Sequence, residues 1–287
     1  MPALILRGER LRADLTLLAV AAIWGVAFVV NRVAAQHVGA LVYNGARFLV
    51  AALTLLPFIG RRARDFSRIE LWGGALAGLL LFAGSALQQM GLHYTTASKA
   101  AFITGLYVVL VPLFLALMWR RWPRWTAWIA SLLAAVGLFF LSAVEQLALA
   151  PGDGFELAGA VLWALHVIVI GWVAPQVNAL RLALVQYLVC GPLSIVLGLG
   201  LESQTLGGLM AAWWAVIGTG MLSMGLAYTL QVIGQKHTPP TDAAIILSTE
   251  AVFAALSGWL VLGETLTAQQ LLGCGLMLTG MLLAQVR

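Results

Sequence analysis

Ten apolar runs of about twenty residues follow one another along this chain, and that pattern leaves few folds open. A hydrocarbon core of roughly 30 Å is crossed by about 20 helical residues. The runs fall at 13–34, 40–59, 70–91, 97–118, 125–143, 155–174, 180–200, 209–232, 241–262 and 268–286. They are continuous, not alternating, so helices and not barrel strands would satisfy the backbone in lipid. The segments between them are too short for a soluble catalytic domain. Composition fits the same reading. With 62% hydrophobic and 9% charged residues in 287, and a mean hydropathy of +0.96, there is too little polar surface to coat a soluble core. The expected fold is an all-α integral membrane protein with ten transmembrane helices.

The net charge of +5 does not point to nucleic acid, because most arginines sit in short clusters between apolar runs. Cys190 and Cys274 both lie inside apolar runs, which gives neither a disulfide framework nor metal-ligand spacing. No glycine-rich phosphate loop is present, so an ATP-driven pump is disfavoured and no cofactor is implied. Val33-Ala34-Ala35 has the form of a signal-peptidase site, but the first run is long enough to span and nine more follow it, so the segment is read as a helix.

Lys and Arg set the orientation. With a cytoplasmic N-terminus, the inner segments hold Arg7, Arg10, Arg12, Arg61, Arg62, Arg64, Arg68, Arg120, Arg121, Arg124, Arg181, Lys236 and Arg287, thirteen of the sixteen. The outer side holds Arg32 and Lys99, and Arg47 lies within a span. The segment joining the halves carries Glu145, Asp153 and Glu156 without Lys or Arg. Both termini are therefore expected in the cytoplasm.

The chain also repeats itself. An offset of 139 residues sets Trp24 on Trp163. An offset of 143 sets Leu87, Gln88, Gly91, Thr95, Ala100, Ala101, Ile103 and Val109 on Leu230, Gln231, Gly234, Thr238, Ala243, Ala244, Ile246 and Val252, and Gly137 on Gly280. Composition alone explains the Leu, Ala and Val matches, but poorly explains Gln-x-x-Gly-x-x-x-Thr at one offset. The repeats are expected at 1–143 and 152–287, within one membrane domain. Because five is odd, the two copies enter the membrane from opposite sides. Exchanging their conformations then supplies two states of similar energy, which is the logic of alternating access, with the substrate near the midplane.

Several short strings carry a family likeness. They are Ala22-Ile23-Trp24-Gly25, Arg47-Phe48, Gly91-Leu92-His93-Tyr94-Thr95-Thr96-Ala97, Thr104-Gly105-Leu106-Tyr107 through Pro112, and Leu262-Gly263-Glu264. In their order and spacing the chain resembles the drug/metabolite transporter superfamily, in its EamA-type 5+5 branch, over nearly its whole length. The resemblance implies transport of small metabolites across a bacterial inner membrane, with amino acids, aromatic ones included, the best-known substrates. Drugs, amines and sugar conjugates are handled by some relatives, so the fold leaves the substrate open. One departure bears on the ninth span. Members often carry Glu-Pro there, and here Ala251 follows Glu250, which puts a proline-assisted break in doubt.

Polar groups within the spans are the candidate site residues, since ionisable side chains in hydrocarbon face a cavity or a partner. Glu250 reads as a proton site or an anchor for a substrate ammonium, or equally as an interhelical hydrogen bond. Arg47 keeps its charge and must snorkel, pair with an acid or bind an anion, and Glu250 is a candidate partner. His166 shares a helix face with Trp163 and is either a pH-responsive cavity residue or a satisfied core histidine. Trp24 and Trp163, with Tyr107 and Tyr228, would form an aromatic vestibule or pack between helices. Gln88 and Gln231 are repeat-related amides that need a partner. Thr104 and Ser248 are weaker candidates, with Asn31 and Thr249, because hydroxyls bond back to their own helix.

The leading expectation is a carrier or facilitator exporting a small metabolite, an amino acid foremost, in contact with membrane lipids. Multidrug or amine efflux is the alternative, suggested by the aromatic and acidic midplane residues. A membrane-embedded enzyme would need paired acids, a metal site or a nucleophile with its base, which scattered histidines and one midplane acid do not supply. Self-association stays open.

Overall fold

The computed structural model describes residues 2–34, 37–60, 65–92, 94, 97–142, 150–203, 206–263 and 265–286. Arg61, Arg62, Arg64, His93, Thr95, Thr96, Glu145, Glu264 and Arg287 lie outside them, and with them parts of the basic loop and of two family strings. Among the described residues every regular element is helical. The first half holds α1 (Pro2–Ala34), α2 (Ala40–Ile59), α3 (Arg68–Gly91), α4 (Ala97–Gly105), α5 (Tyr107–Leu117) and α6 (Trp125–Leu141). The second holds α7 (Pro151–Val173), α8 (Ala179–Leu201), α9 (Leu206–Ala211), α10 (Trp213–Gly218), α11 (Tyr228–Gln235), α12 (Pro240–Ser248), α13 (Glu250–Leu262) and α14 (Ala268–Gln285). A π-helical stretch, Thr219–Ala227, joins α10 to α11.

The helix ends follow from local sequence. Ser67 and Glu70 form a reciprocal capping box at the start of α3, and Thr267 and Gln270 form another at α14. Asn178 caps α8 through its side-chain oxygen. The start of α2 has no local cap. Instead the Glu202 carboxylate, beyond the end of α8, accepts from Leu41 N at 2.7 Å and Val42 N at 3.0 Å. Gly263, at φ 68°, ends α13 in the left-handed region that favours glycine.

Among the described residues, eight helical segments are long and apolar enough to cross a membrane. The expected fifth span appears as the 17-residue α6 and the tenth as the 18-residue α14. Large apolar side chains point away from the core, including Phe58 at 72%, Trp72 at 77% and Leu201 at 75% exposure, as lipid permits and water does not.

The packing pairs mirror one another between the halves. α1 lies on α13 as α7 lies on α4 and α5, α2 lies on the π stretch as α3 lies on α8, and α3 lies on α7 as α1 lies on α11. Two pairs map onto themselves, α2 with α8 and α6 with α14. In the second of these the mapping reaches single residues. A Cβ on Gly137 would meet Gly273 O at 2.6 Å and Met277 N at 2.8 Å, whereas one on Gly280 would meet Ala130 O at 2.7 Å and Ala134 N at 3.2 Å. Shifting either contact set by 143 residues reproduces the other, as a pseudo-two-fold axis requires. The two backbones touch, so these glycines are there for space. Gly137→Val should destabilise the fold by about 1–3 kcal/mol through overpacking. Gly275→Val, which enters open space, should leave thermal unfolding in detergent unchanged; equal shifts for both would sink this account.

The fourth and ninth spans are both broken, at Leu106 between α4 and α5 and at Thr249 between α12 and α13. These positions are again 143 apart. The second break forms without proline. Ser248 Oγ donates to Ile245 O at 2.8 Å and Thr249 Oγ1 to Ile246 O at 2.6 Å, so hydroxyls take up carbonyls where the ladder is interrupted. Proline is thus dispensable here, contrary to the doubt raised by Ala251.

Candidate functional site

Side chains from both halves line one cavity beside the two breaks. It is lined by Trp24, Phe28, Asn31, Arg47, Ser85, Gln88, Gln89, Thr104 and Tyr107 from the first half, and by Trp163, His166, Ser223, Met224, Tyr228, Gln231 and Glu250 from the second. Many are repeat partners. Trp24 faces Trp163 across the 139-residue offset, and Gln88 and Tyr107 match Gln231 and Glu250 across the 143-residue offset. The symmetry therefore holds for place and not for chemistry: a tyrosine on one side corresponds to a carboxylate on the other.

Arg47 is 3% exposed and sits on α2. Its Nη1 donates to Asn31 Oδ1 at 2.8 Å, its Nη2 donates to Asn44 Oδ1, and its guanidinium lies 4.3 Å from the centre of the Tyr43 ring. Its Nε is buried without a partner. Glu250 opens α13, where Gly25 of α1 lets the backbones approach closely. Arg47 and Glu250 share the cavity, but the recorded partners of Arg47 are amides and a ring, not Glu250.

Between them lies an aromatic cluster. The Tyr228 ring is 4.7 Å from Trp24, 6.4 Å from Trp163 in stacked orientation, 6.1 Å from Phe48 and 6.0 Å from His166. The two tryptophans differ in one respect. Trp24 Nε1 donates to Ser223 O at 3.1 Å, a carbonyl of the π stretch. The repeat-related stretch of α3 is regular α-helix, whose carbonyls are already used, and Trp163 Nε1 is left without a partner. Other carbonyls of the π stretch, Met224 O and Gly225 O, accept from Tyr187 Oη at 2.9 and 3.3 Å. Such a stretch frees backbone groups, and here side chains reach them.

Around this cavity Tyr107 Oη, Trp163 Nε1, His166 Nδ1 and Gln231 Oε1 are buried without partners. His166 uses Nε2 toward Gln186 Oε1 at 2.9 Å, and Gln231 Nε2 donates to Gln235 Oε1 at 3.0 Å. Buried polar atoms left open are costly unless something completes them. All four residues line this cavity.

Ser248 is not in the cavity wall. It is buried and its hydroxyl is spent on Ile245 O, so its place is the helix break. Sequence reasoning passed over Ser85, Gln89 and above all Glu156. This acid was counted with the segment joining the halves, yet it is fully buried in α7 and accepts a bond from Thr104 Oγ1 at 2.6 Å. Its spacing of seven residues from Trp163, two helical turns on the same face, was the available signal.

Comparison with known proteins adds to this geometry. A model of the EamA-like transporter family matches the chain twice, over residues 11–143 and 150–285. An uncharacterized transporter of Archaeoglobus fulgidus is 33% identical over 283 residues, 97% of this chain and 87% of that protein. The threonine/homoserine exporter RhtA of Escherichia coli K12 is 41% identical over 70 residues, 23% of this chain and 24% of its own. One crystal structure superposes with a TM-score of 0.79 over 96% of this chain and 97% of that one, at 18% identity, a likeness of fold alone.

Proposed function

Because the chain belongs to the EamA-like transporter family, and is a multi-pass membrane transporter, we propose that it exports small metabolites, amino acids foremost, across the cell's inner membrane. In this reading ten spans form two inverted repeats, with both termini cytoplasmic, and the repeats exchange conformations around the cavity. The observation that carries the substrate class is that a guanidinium and an acidic side chain line one cavity. The guanidinium of Arg47 suits a carboxylate, and the carboxyl group of Glu250, with no hydrogen-bond partner among the described residues, suits an ammonium that would ionise it. A zwitterion completes both. The partial likeness to the threonine/homoserine exporter RhtA supports the same class.

Purified protein in liposomes should exchange labelled amino acids faster than empty vesicles do. A broad panel showing no exchange above that background would remove the reading. Glu250→Gln keeps the shape of the side chain and loses a charge-assisted contact, so exchange should fall about 10- to 100-fold. A second reading, amine efflux, is favoured by the tryptophan–tyrosine cluster in the same cavity, since aromatic faces hold organic cations. Amines without a carboxylate, run in the same assay, distinguish the two. Only the amine reading keeps full transport in Arg47→Met.

A further inference from the structure

Glu156 lies behind the cavity wall, and Thr104 stands between the two. Thr104 lines the cavity and also donates to Glu156 Oε2 at 2.6 Å, a length typical of a hydroxyl bonded to a carboxylate. Glu156 Oε1 is buried with no partner and lies against Gly91, where a Cβ would have no room. No ion pair reaches Glu156 among the described residues. Among the described side chains the neighbour from α3 is Gly91, from α4 it is Thr104, and the titratable group acting on it is Asp153, one turn earlier on α7 and of like charge. The contacts of α7 with α11 and α12 lie farther along, where Gln235 bonds Val167 O and Pro240 abuts Gly171. A buried carboxyl group with no cation beside it among the described side chains carries a proton or awaits a cation.

We propose that Glu156 and Thr104 form a proton-binding pair, in which the state of the carboxyl group decides what Thr104 presents to the cavity. With Glu156 ionised, the Thr104 hydroxyl hydrogen points to Oε2 and only oxygen lone pairs face inward. With a proton on Oε2, Glu156 donates to Thr104 Oγ1, and the threonine hydrogen is released to point into the cavity. Only O–H bonds change, and the proton is exchanged with water entering the cavity. A cationic group beside Thr104 favours the first state and expels the proton, and protonation by the same linkage favours release of that cation. Proton and substrate then alternate in occupancy. This coupling rests on the reading of the cavity as the substrate site, although the proton site itself does not.

Two measurements separate those claims. Infrared difference spectra of the detergent-solubilised protein between two pH values should contain a protonated-carboxyl band that is lost in Glu156→Gln and shifted in Thr104→Val. Thr104→Ser keeps the hydroxyl and should restore the wild-type position. Absence of any band that Glu156→Gln removes overturns the proton site, whether or not a substrate is known. In proteoliposomes, the apparent affinity of the wild type for labelled threonine should weaken as pH falls, and Glu156→Gln should flatten that profile. An unchanged profile in folded Glu156→Gln, judged by size-exclusion chromatography, overturns the coupling. A wild type that moves no substrate, with the band present, overturns the coupling and the substrate reading together and leaves the proton site standing.

Discussion

Arg47→Met is expected to remove most transport while leaving the protein as stable as the wild type. Two physical terms act in opposite directions at this residue. The guanidinium is almost fully buried, and its recorded partners are neutral: Asn31, Asn44 and the face of Tyr43. Desolvating a charge without a counter-charge is expensive, and replacing buried ions by apolar groups of similar volume is often neutral or stabilising. Against this stands the loss of two hydrogen bonds, softened for Asn31 because Tyr43 Oη also donates to it at 2.9 Å. The net change in stability should stay within about 1 kcal/mol. Transport responds differently, since a carboxylate would lose its charge-assisted fork. A loss of 2–3 kcal/mol corresponds to roughly 100-fold in apparent affinity. Arg47→Lys keeps the charge without the fork and should fall between. Thermal unfolding and exchange measured on one preparation decide it. A fall of several kcal/mol in stability would make Arg47 a structural anchor, and exchange within twofold of wild type would remove it from the site.

Asp242→Asn should have the largest effect on stability. Asp242 begins α12 and is 4% exposed, yet it gathers cations from distant parts of the chain. Arg10 Nη2 of α1 lies 2.7 Å from its Oδ2, and Arg124 Nη2, before α6, lies 3.3 Å away. Arg10 also bonds Asp14 at 2.9 Å, Thr238 Oγ1 donates to Asp14 at 2.7 Å, and Arg124 reaches Ala284 O and Val286 O at the end of α14. One carboxylate thus ties the start of α1 to both members of the α6–α14 pair. Breaking a buried pair from one side leaves charge without compensation, and about 3 kcal/mol is the usual scale. The partly exposed Arg124 accounts for a minor share. Arg10→Ala should produce part of the same loss, and the double variant should lose less than the sum. Additive losses would mean that Arg10 and Asp242 do not act as a unit.

What the sequence revealed, and what it hid, divides along physical lines. Hydropathy located eight long apolar spans because lipid acts on every residue of a run, and the 143-residue offset recurs in the contacts of Gly137 and Gly280. Individual side chains were legible where chemistry in hydrocarbon leaves few options, as for Arg47 and Glu250, which do share a cavity. The doubt over a proline-assisted break in the ninth span did not reach a break without proline, which lies at Thr249 where the hydroxyls of Ser248 and Thr249 bond back to carbonyls. Ser248 was a weaker cavity candidate because a hydroxyl can bond back to its own helix, and that is what it does. Glu156 was hidden by its place near a chain segment rich in acids, where exposure is the default assumption and burial depends on α3 and α4. The difference between Trp24 and Trp163 was beyond reach, since it arises from a π stretch in one half only.

The α6–α14 contact also bears on how the chain is made. Gly137 leaves the ribosome well over a hundred residues before its partners Gly273 and Met277. At roughly 5–20 residues per second, the wait is on the order of 10 s. Throughout it the face holding Ala130, Ala134 and Gly137 is made but unmatched, because what fills it is the Gly273, Met277 and Gly280 face of α14. A polypeptide stopped after α6 would therefore keep a face of small residues with nothing of its own chain to fill it.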